Sequence, residues 1–420
     1  MSMIYDNWER LMAAVVKREE IWQLCHQHSR SHSICSESSD FSVGSQLSDV
    51  NLQKKEESVL RPVRKLVFLG GSTPGFSLKH ILSLNDFQEL GKGTFGTTIL
   101  THLLQDVQVS DQDFLVSGTK VVMKLLNEVK VTEEEFKQHT KVLGNCRHEN
   151  VSAPRAYYFS NMANGKFVVY DYHSQGSLSD MLHGNKSRPN WESRLKIATG
   201  AARGIAHIHK QFGGKLAHGN IKSSNIFLNS QHYGCVSDFS LSGIMVKPQR
   251  GALGYHAPEC DFKTVSLETD VYSFGNLLLE LVTGKSPTEA QGFEKDMHLV
   301  SWARSIKSQE WAAKLFDKSL RRPIRHEKDV LEMMKTEIPG VHLLVKDSVT
   351  DLEALRANLG SHFHSMANVP ANYFPAQDLL EMSKMMQVAM RCLAELPKDR
   401  PKMSDVVLML ENIEKLKLAR

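Results

Sequence analysis

Two features constrain this chain more than any others: a glycine-rich run, LGKGTFGTT at 90–98, and a lysine set inside the apolar run VVMK at 121–124. Gly91, Gly93 and Gly96 make a GxGxxG pattern, in which bare backbone N–H groups can approach phosphate oxygens closely. The pattern alone fits either a Rossmann-type turn or a hairpin. A Rossmann turn leads straight into a helix, whereas Thr97, Thr98 and Ile99 are β-branched and suit a strand. A hairpin folded over a nucleotide is therefore expected. Burying the charge of Lys124 in an apolar strand is costly, so its ammonium is expected to face a phosphate or a carboxylate.

The surrounding text divides into segments. Ile4, Trp8, Leu11 and Val15 recur at helical spacing, which predicts an amphipathic helix over 1–27. Such a stripe either packs on its own domain or docks on a partner. Residues 28–60 are rich in Ser and charge and read as a flexible linker. A short strand is expected over 64–69, a short helix over 76–84, and strands over 120–126 and 166–172. From about Trp191 the pattern is mainly helical. A β-rich segment (61–172) followed by a helical one (173–420) predicts two lobes meeting at a cleft. An irregular stretch at about 325–376 interrupts the second, and KDVLEMMK (328–335) is echoed there by QDLLEMSK (377–384).

Composition excludes several classes. The formal net charge is +4 with 23% charged residues, which favours neither nucleic acid nor an acidic partner. The six cysteines show no CxxC pair and no metal-ligand spacing, as expected of a reduced, cytoplasmic setting. The most apolar stretch, 274–282, is broken by Asn276 and Glu280, so no membrane span is expected. Arg321, Arg322 and Arg325 form a basic cluster that fits a solvated surface better than a phosphate-bearing partner.

Five further motifs then occur in a fixed order. HGNIKSSN (218–225) resembles the protein-kinase catalytic loop H-R-D-x-x-x-x-N, and SDFS (237–240) resembles D-F-G. APE (257–259) follows, then DVYSFG (270–275), which resembles the start of a buried central helix. Arg400-Pro401 resembles the late arginine that pairs with the A-P-E glutamate. The phrases KLVFLGG (65–71), RHENVSAPRAYY (147–158), FVVYDYHSQGSLSDMLHG (167–184) and HGNIKSSNIFL are similar to the cytoplasmic kinase regions of plant leucine-rich-repeat receptor-like kinases, nearest the branch labelled inactive. The resemblance implies an α+β, protein-kinase-like two-lobed fold.

It also implies roles. Leu90, the loop glycines and Thr98 would cover a nucleotide, Lys124 would meet its phosphates, and Asp171 and Tyr172 would lie at the hinge beside adenine. Asn225 and Asp238 would be the magnesium ligands, and Lys222 would sit near the transferred phosphate. ATP and Mg²⁺ are thus the implied cofactors, bound weakly if at all, because other positions depart from the pattern. Asn220 stands where the catalytic aspartate belongs. Gly219 replaces the arginine that grips a phosphorylated activation loop, and the stretch 243–254 carries no Ser, Thr or Tyr. Ser240 replaces the D-F-G glycine. The helix expected at 132–143 resembles the one whose glutamate clamps the strand lysine; counting back from His148 puts Lys141 at that position. Glu134 and Glu135 offer no good substitute.

Asp270, Glu259 and Arg400, which brace the large lobe in the family, are kept. The resemblance with these departures implies a non-catalytic module, docking on other protein kinases or receptor complexes in the cytoplasm or at the membrane periphery. A slow Ser/Thr kinase is the alternative, since positioning carries much of phosphoryl transfer. A large lobe compromised by the 325–376 stretch is a third reading.

Overall fold

The computed structural model describes residues 66–71, 87–93, 95–109, 112–160, 165–185, 187–245, 254–260, 265–287, 298–323 and 372–416. The helix expected at 1–27, the linker at 28–60, the helix at 76–84 and most of the 325–376 stretch lie outside the described residues.

The small lobe is an antiparallel sheet of six strands: β1 (Val67–Phe68), β2 (Phe87–Gly93), β3 (Gly96–Val109), β4 (Gln112–Leu126), β5 (Ala156–Tyr158) and β6 (Phe167–Asp171). Their spatial order is β1-β5-β6-β4-β3-β2. Side chains alternate across a strand, and that parity explains where Lys124 points. Val121, Met123 and Leu125 pack on one face with Ile99, Phe167 and Val169. Leu126, of the opposite parity, joins a separate core with Val168 and Tyr170. Lys124 shares that second parity, so its stem runs toward the cleft.

Across this face lies α1 (Glu133–Asn145). Thr132 caps it with a reciprocal box: its hydroxyl accepts from Glu135 N–H while the Glu135 carboxylate accepts from Thr132 N–H. Phe136, Thr140 and Leu143, at i, i+4 and i+7, are buried.

The large lobe follows with α2 (Leu178–His183), α3 (Trp191–Lys210), the hairpin β7 (Ile226–Leu228) and β8 (Gly234–Val236), then α4 (Leu267–Thr283) and α5 (Leu299–Ser305). The pair β9 (Arg322–Pro323) and β10 (Asn372–Tyr373), α6 (Ala376–Cys392) and α7 (Met403–Lys415) complete it. From Asp270 to Thr283 all but one residue of α4 is buried, as expected of a helix that others surround. It packs on α6, α3 and α5. Ser266 caps its start, and Gly284 in a left-handed conformation ends it.

Arg400 ties the late helices to the segment before α4. Its guanidinium donates twice to the Glu259 carboxylate, at 2.5 and 2.8 Å, and also to the Ala394, Glu268 and Glu395 carbonyls. The expected partnership is present. No described helix is long and apolar enough to cross a membrane.

Arg400 is buried while the Glu259 side chain is about one-third exposed, so the cost of losing the guanidinium falls mainly on the Ala394, Glu268 and Glu395 carbonyls left without their donor, and Arg400→Ala should cost about 1–3 kcal/mol in chemical denaturation. Lys314→Ala, which breaks an exposed pair with Glu310, should cost less than about 1 kcal/mol. The hydrogen bonds from Arg400 hold the Glu259 carboxyl below its ordinary value. Its contribution is therefore full at neutral pH and should be lost as pH falls through the carboxylate range, which denaturation midpoints at successive pH values would record.

Candidate functional site

The β2–β3 hairpin, the β4–β6 pair and the β7–β8 hairpin enclose a cleft of about 400 Å³. Leu90, Gly91, Gly93 and Thr98 line its roof, Asp171 and Tyr172 its hinge end, and Lys124, Lys222, Asn225 and Asp238 its inner end. Two of the sequence-derived site residues are not among its lining. Gly96 sits opposite Gly93 at the hairpin turn, and a Cβ there would lie 1.8 Å from the Leu125 carbonyl oxygen, so its role is to let β3 close onto β4. Asn220 stands outside the lining as well. Its carbonyl accepts a 2.8 Å hydrogen bond from Asn225 Nδ2, which fixes the catalytic-loop turn.

The β7–β8 register explains how two distant stretches meet. Ile226 pairs with Val236, and Ser237 N–H donates to the Asn225 carbonyl at 3.0 Å. Asn225 and Asp238 are thereby brought to one end of the cleft. Asp238 and Ser240 both adopt positive φ, 59° and 58°, on either side of Phe239. Such conformations cost about 1–3 kcal/mol each for non-glycine residues and need outside support. Ser240 N–H donates to the His218 carbonyl at 2.6 Å, and the Phe239 ring meets the His218 imidazole edge-on, 6.4 Å between centroids.

That support continues into α4. The Asp270 carboxylate accepts from the backbone N–H groups of His218 (2.6 Å) and Gly219 (2.8 Å), and His209 Nε2 lies 2.8 Å from it. Gly219 has φ +74°, and a Cβ there would come within 2.7 Å of Ser242 Oγ and 2.9 Å of Val265 Cγ1.

The helix α1 corrects one expectation. Lys141 does not face Lys124: it is exposed and lines a separate groove with Val67, Phe68 and Lys137. The residue turned toward the SDFS segment is His139, whose Nε2 lies 2.9 Å from the Ser240 carbonyl. Positions 139 and 141 differ by about 200° around a helix of 3.6 residues per turn, and the turn between Asn145 and His148 defeats counting from the histidine. Burial lowers the His139 pKa, and the bond to Ser240 partly opposes that. The acids of α1 stay in its exposed first turn, with Glu135 spent on the cap.

Lys124 accordingly pairs with the only described carboxylate in reach, that of Asp238; both side chains are nearly buried. Burial and the neighbouring Lys124 charge push the Lys222 ammonium down, while Asp238 opposes this. Burial raises the Tyr170 phenol well above its ordinary value, with Asp238 adding to the effect.

Of the two implied magnesium ligands, Asp238 fits poorly here, because its charge is already matched by Lys124. The Asn225 Nδ2 donates to the Asn220 carbonyl, which orients the side chain and leaves Oδ1 as the atom a cation would take. Among the lining residues that sequence reasoning missed are His173, Phe227 and Asp180. His173 stacks on Phe227 at 4.8 Å on the cleft floor, and Asp180 lines the hinge end while closing a capping box with Ser177. The Ser-x-x-Asp spacing at 177–180 was a readable signal for the last.

The profile of the protein tyrosine and serine/threonine kinase family matches residues 84–336. The chain belongs to that family. An Arabidopsis thaliana protein named a probable inactive receptor kinase is 38% identical over 383 residues, 87% of this chain and 50% of its own length. A receptor-like protein kinase of the same plant, also named as inactive, is 39% identical over 335 residues, 71% of this chain and 89% of that protein. These relatives place the chain among plant receptor-like kinases. It spans about half the length of the first of them. Two solved structures share the fold at 24% identity. The kinase domain of maize SIRK1, a sucrose-induced receptor kinase, bound to AMP-PNP, superposes with a TM-score of 0.60 over 83% of this chain and 99% of that one. The pseudokinase domain of BIR2, an immune regulator of the RLK/Pelle family, does so with 0.57 over 84% and 91%.

Restoring the family arginine at 219 should not help this protein. Gly219→Arg puts a side chain at a left-handed position against Ser242 and Val265, and should lower stability by about 1–2 kcal/mol. An unchanged or raised denaturation midpoint would count against the strain described here.

Proposed function

We propose that this chain is a pseudokinase: a kinase-like signalling module that binds nucleotide weakly and acts by docking on other protein kinases or receptor complexes. The observation that carries this reading is the amide of Asn220 at the position of the catalytic base. In phosphoryl transfer from ATP a carboxylate there orients the substrate hydroxyl and accepts its proton. A carboxamide oriented in the same place can accept a hydrogen bond but holds no proton at neutral pH. Acid–base assistance is worth roughly 10²–10⁴ in rate, or about 3–5 kcal/mol of barrier, and misorientation adds to the loss.

The remaining features support the same reading. No described carboxylate of α1 clamps Lys124, and Asp238 is engaged with that lysine. Gly219 offers no guanidinium to a phosphorylated loop. The cleft still has a roof, a hinge and a cationic inner end, so a nucleotide has a place to sit. Relatives named as inactive agree, as does the fold shared with the pseudokinase domain of an immune regulator. Partners of that kind place the chain in the cytoplasm, with access to the membrane through the receptors it joins.

The test is transfer of labelled phosphate by the purified chain, to itself and to a general Ser/Thr substrate, beside a Lys124→Ala control. No transfer above that control is expected. Activity that Lys124→Ala abolishes would make the molecule a slow Ser/Thr kinase instead. Asn220→Asp alone is expected to restore little, because Lys124 and Asp238 remain engaged with each other.

A further inference from the structure

The inner end of the cleft holds an ion pair in an unusual place. Lys124 and Asp238 are 6% and 7% exposed, and among the described residues Asp238 is the one acid that Lys124 meets. The cause lies on α1. The family resemblance puts a glutamate on the cleft-facing side of this helix, to hold the lysine and leave the aspartate free. Here the cleft-facing residue is His139, and it is bonded to the Ser240 main chain, not to Lys124. A buried ammonium needs an anion, and the nearest is the carboxylate that would otherwise bind a divalent cation.

The charges around it then take on a different meaning. Lys92, Lys124 and Lys222 line the cleft together with Asp238. Of these lysines, Lys124 and Lys222 share the inner end with Asp238, so two ammonium groups lie beside one carboxylate there. Asp171 is paired with Arg155, and the Asp180 carboxylate accepts hydrogen bonds from Ser177. An ammonium has three N–H donors, so Lys124 can hold Asp238 and still offer hydrogen bonds to phosphate oxygens.

We propose that Lys124 is the resident counter-ion of Asp238, standing where a working kinase places its metal, so that the cleft takes a nucleoside triphosphate without a divalent cation. The proposal rests on the nucleotide-binding reading above and gives it a ligand class: the metal-free polyphosphate. His139 is the positioning residue that sets this state, because it withholds a carboxylate from the lysine. The proposal also assigns the metal a sign. Mg²⁺ bound to ATP brings two positive charges to a site where two ammonium groups already lie beside one carboxylate, and it competes with Lys124 for Asp238.

Calorimetric titration of ATP into the full chain, in EDTA and then in MgCl₂, tests this. The two dissociation constants should agree within about threefold. In His139→Glu the new carboxylate should draw Lys124 away and free Asp238, making affinity at least about fivefold tighter with Mg²⁺ than in EDTA. Wild-type binding weakened more than about tenfold by EDTA would overturn the proposal and leave the nucleotide-binding reading intact. Absence of ATP binding in both buffers would overturn that reading, and metal-free binding with it.

A second measurement needs no nucleotide. In a double-mutant cycle, Lys124→Met and Asp238→Asn should each lower the denaturation midpoint, and the double variant should lose clearly less than the sum. Repeating the cycle on His139→Glu should shrink that coupling, which a merely structural role for His139 would not do. Additive losses in the wild-type background would show that the two residues are not paired and would overturn the proposal.

Discussion

The buried carboxylate of Asp270 is the interaction on which the site depends. It lies at the start of α4, the helix that other helices surround, and accepts the backbone N–H groups of His218 and Gly219. Through them the catalytic-loop turn is fixed to a buried helix packed among its neighbours. The His218 carbonyl in turn receives Ser240 N–H, so the chain from α4 to the SDFS segment is continuous. Because these links run through main-chain groups of residues 218, 219 and 240, they do not depend on which side chain stands at 220 or 240. The frame of a kinase can thus persist after its chemistry has been substituted away.

That separation explains which substitutions the molecule tolerates. Arg400 and Asp270 are buried, and their loss would leave main-chain carbonyls and N–H groups without partners in a poor solvent. Asn220 and His139 are only partly buried, and an altered side chain there changes what can be bound or transferred.

Much of this was legible in the sequence. The β-branched residues after the glycine run specified a hairpin over a helix, and the cost of burying an ammonium in an apolar strand pointed Lys124 at an anionic partner. Short motifs were readable because each sits in a turn whose backbone demands particular residue types. The helix face was not readable in the same way. Counting from His148 crosses an irregular turn, and an error of two residues rotates a helical side chain to the far side, which separates Lys141 on the outer face from His139 beside the cleft. The engagement of Lys124 with Asp238, 114 positions apart, depends on that face and was hidden with it. His173 over Phe227 was likewise hidden, since stacking across two loops leaves no local spacing to detect.

The hydrogen bond between His139 and the Ser240 carbonyl has a consequence for how α1 is held. In a switchable kinase the corresponding helix is fastened by a salt link that forms and dissolves, and its swinging is the on–off signal. Here it is moored to the peptide oxygen of Ser240. That anchor ties α1 to the SDFS segment without a salt link to Lys124, so the charge of the lysine is not what positions the helix.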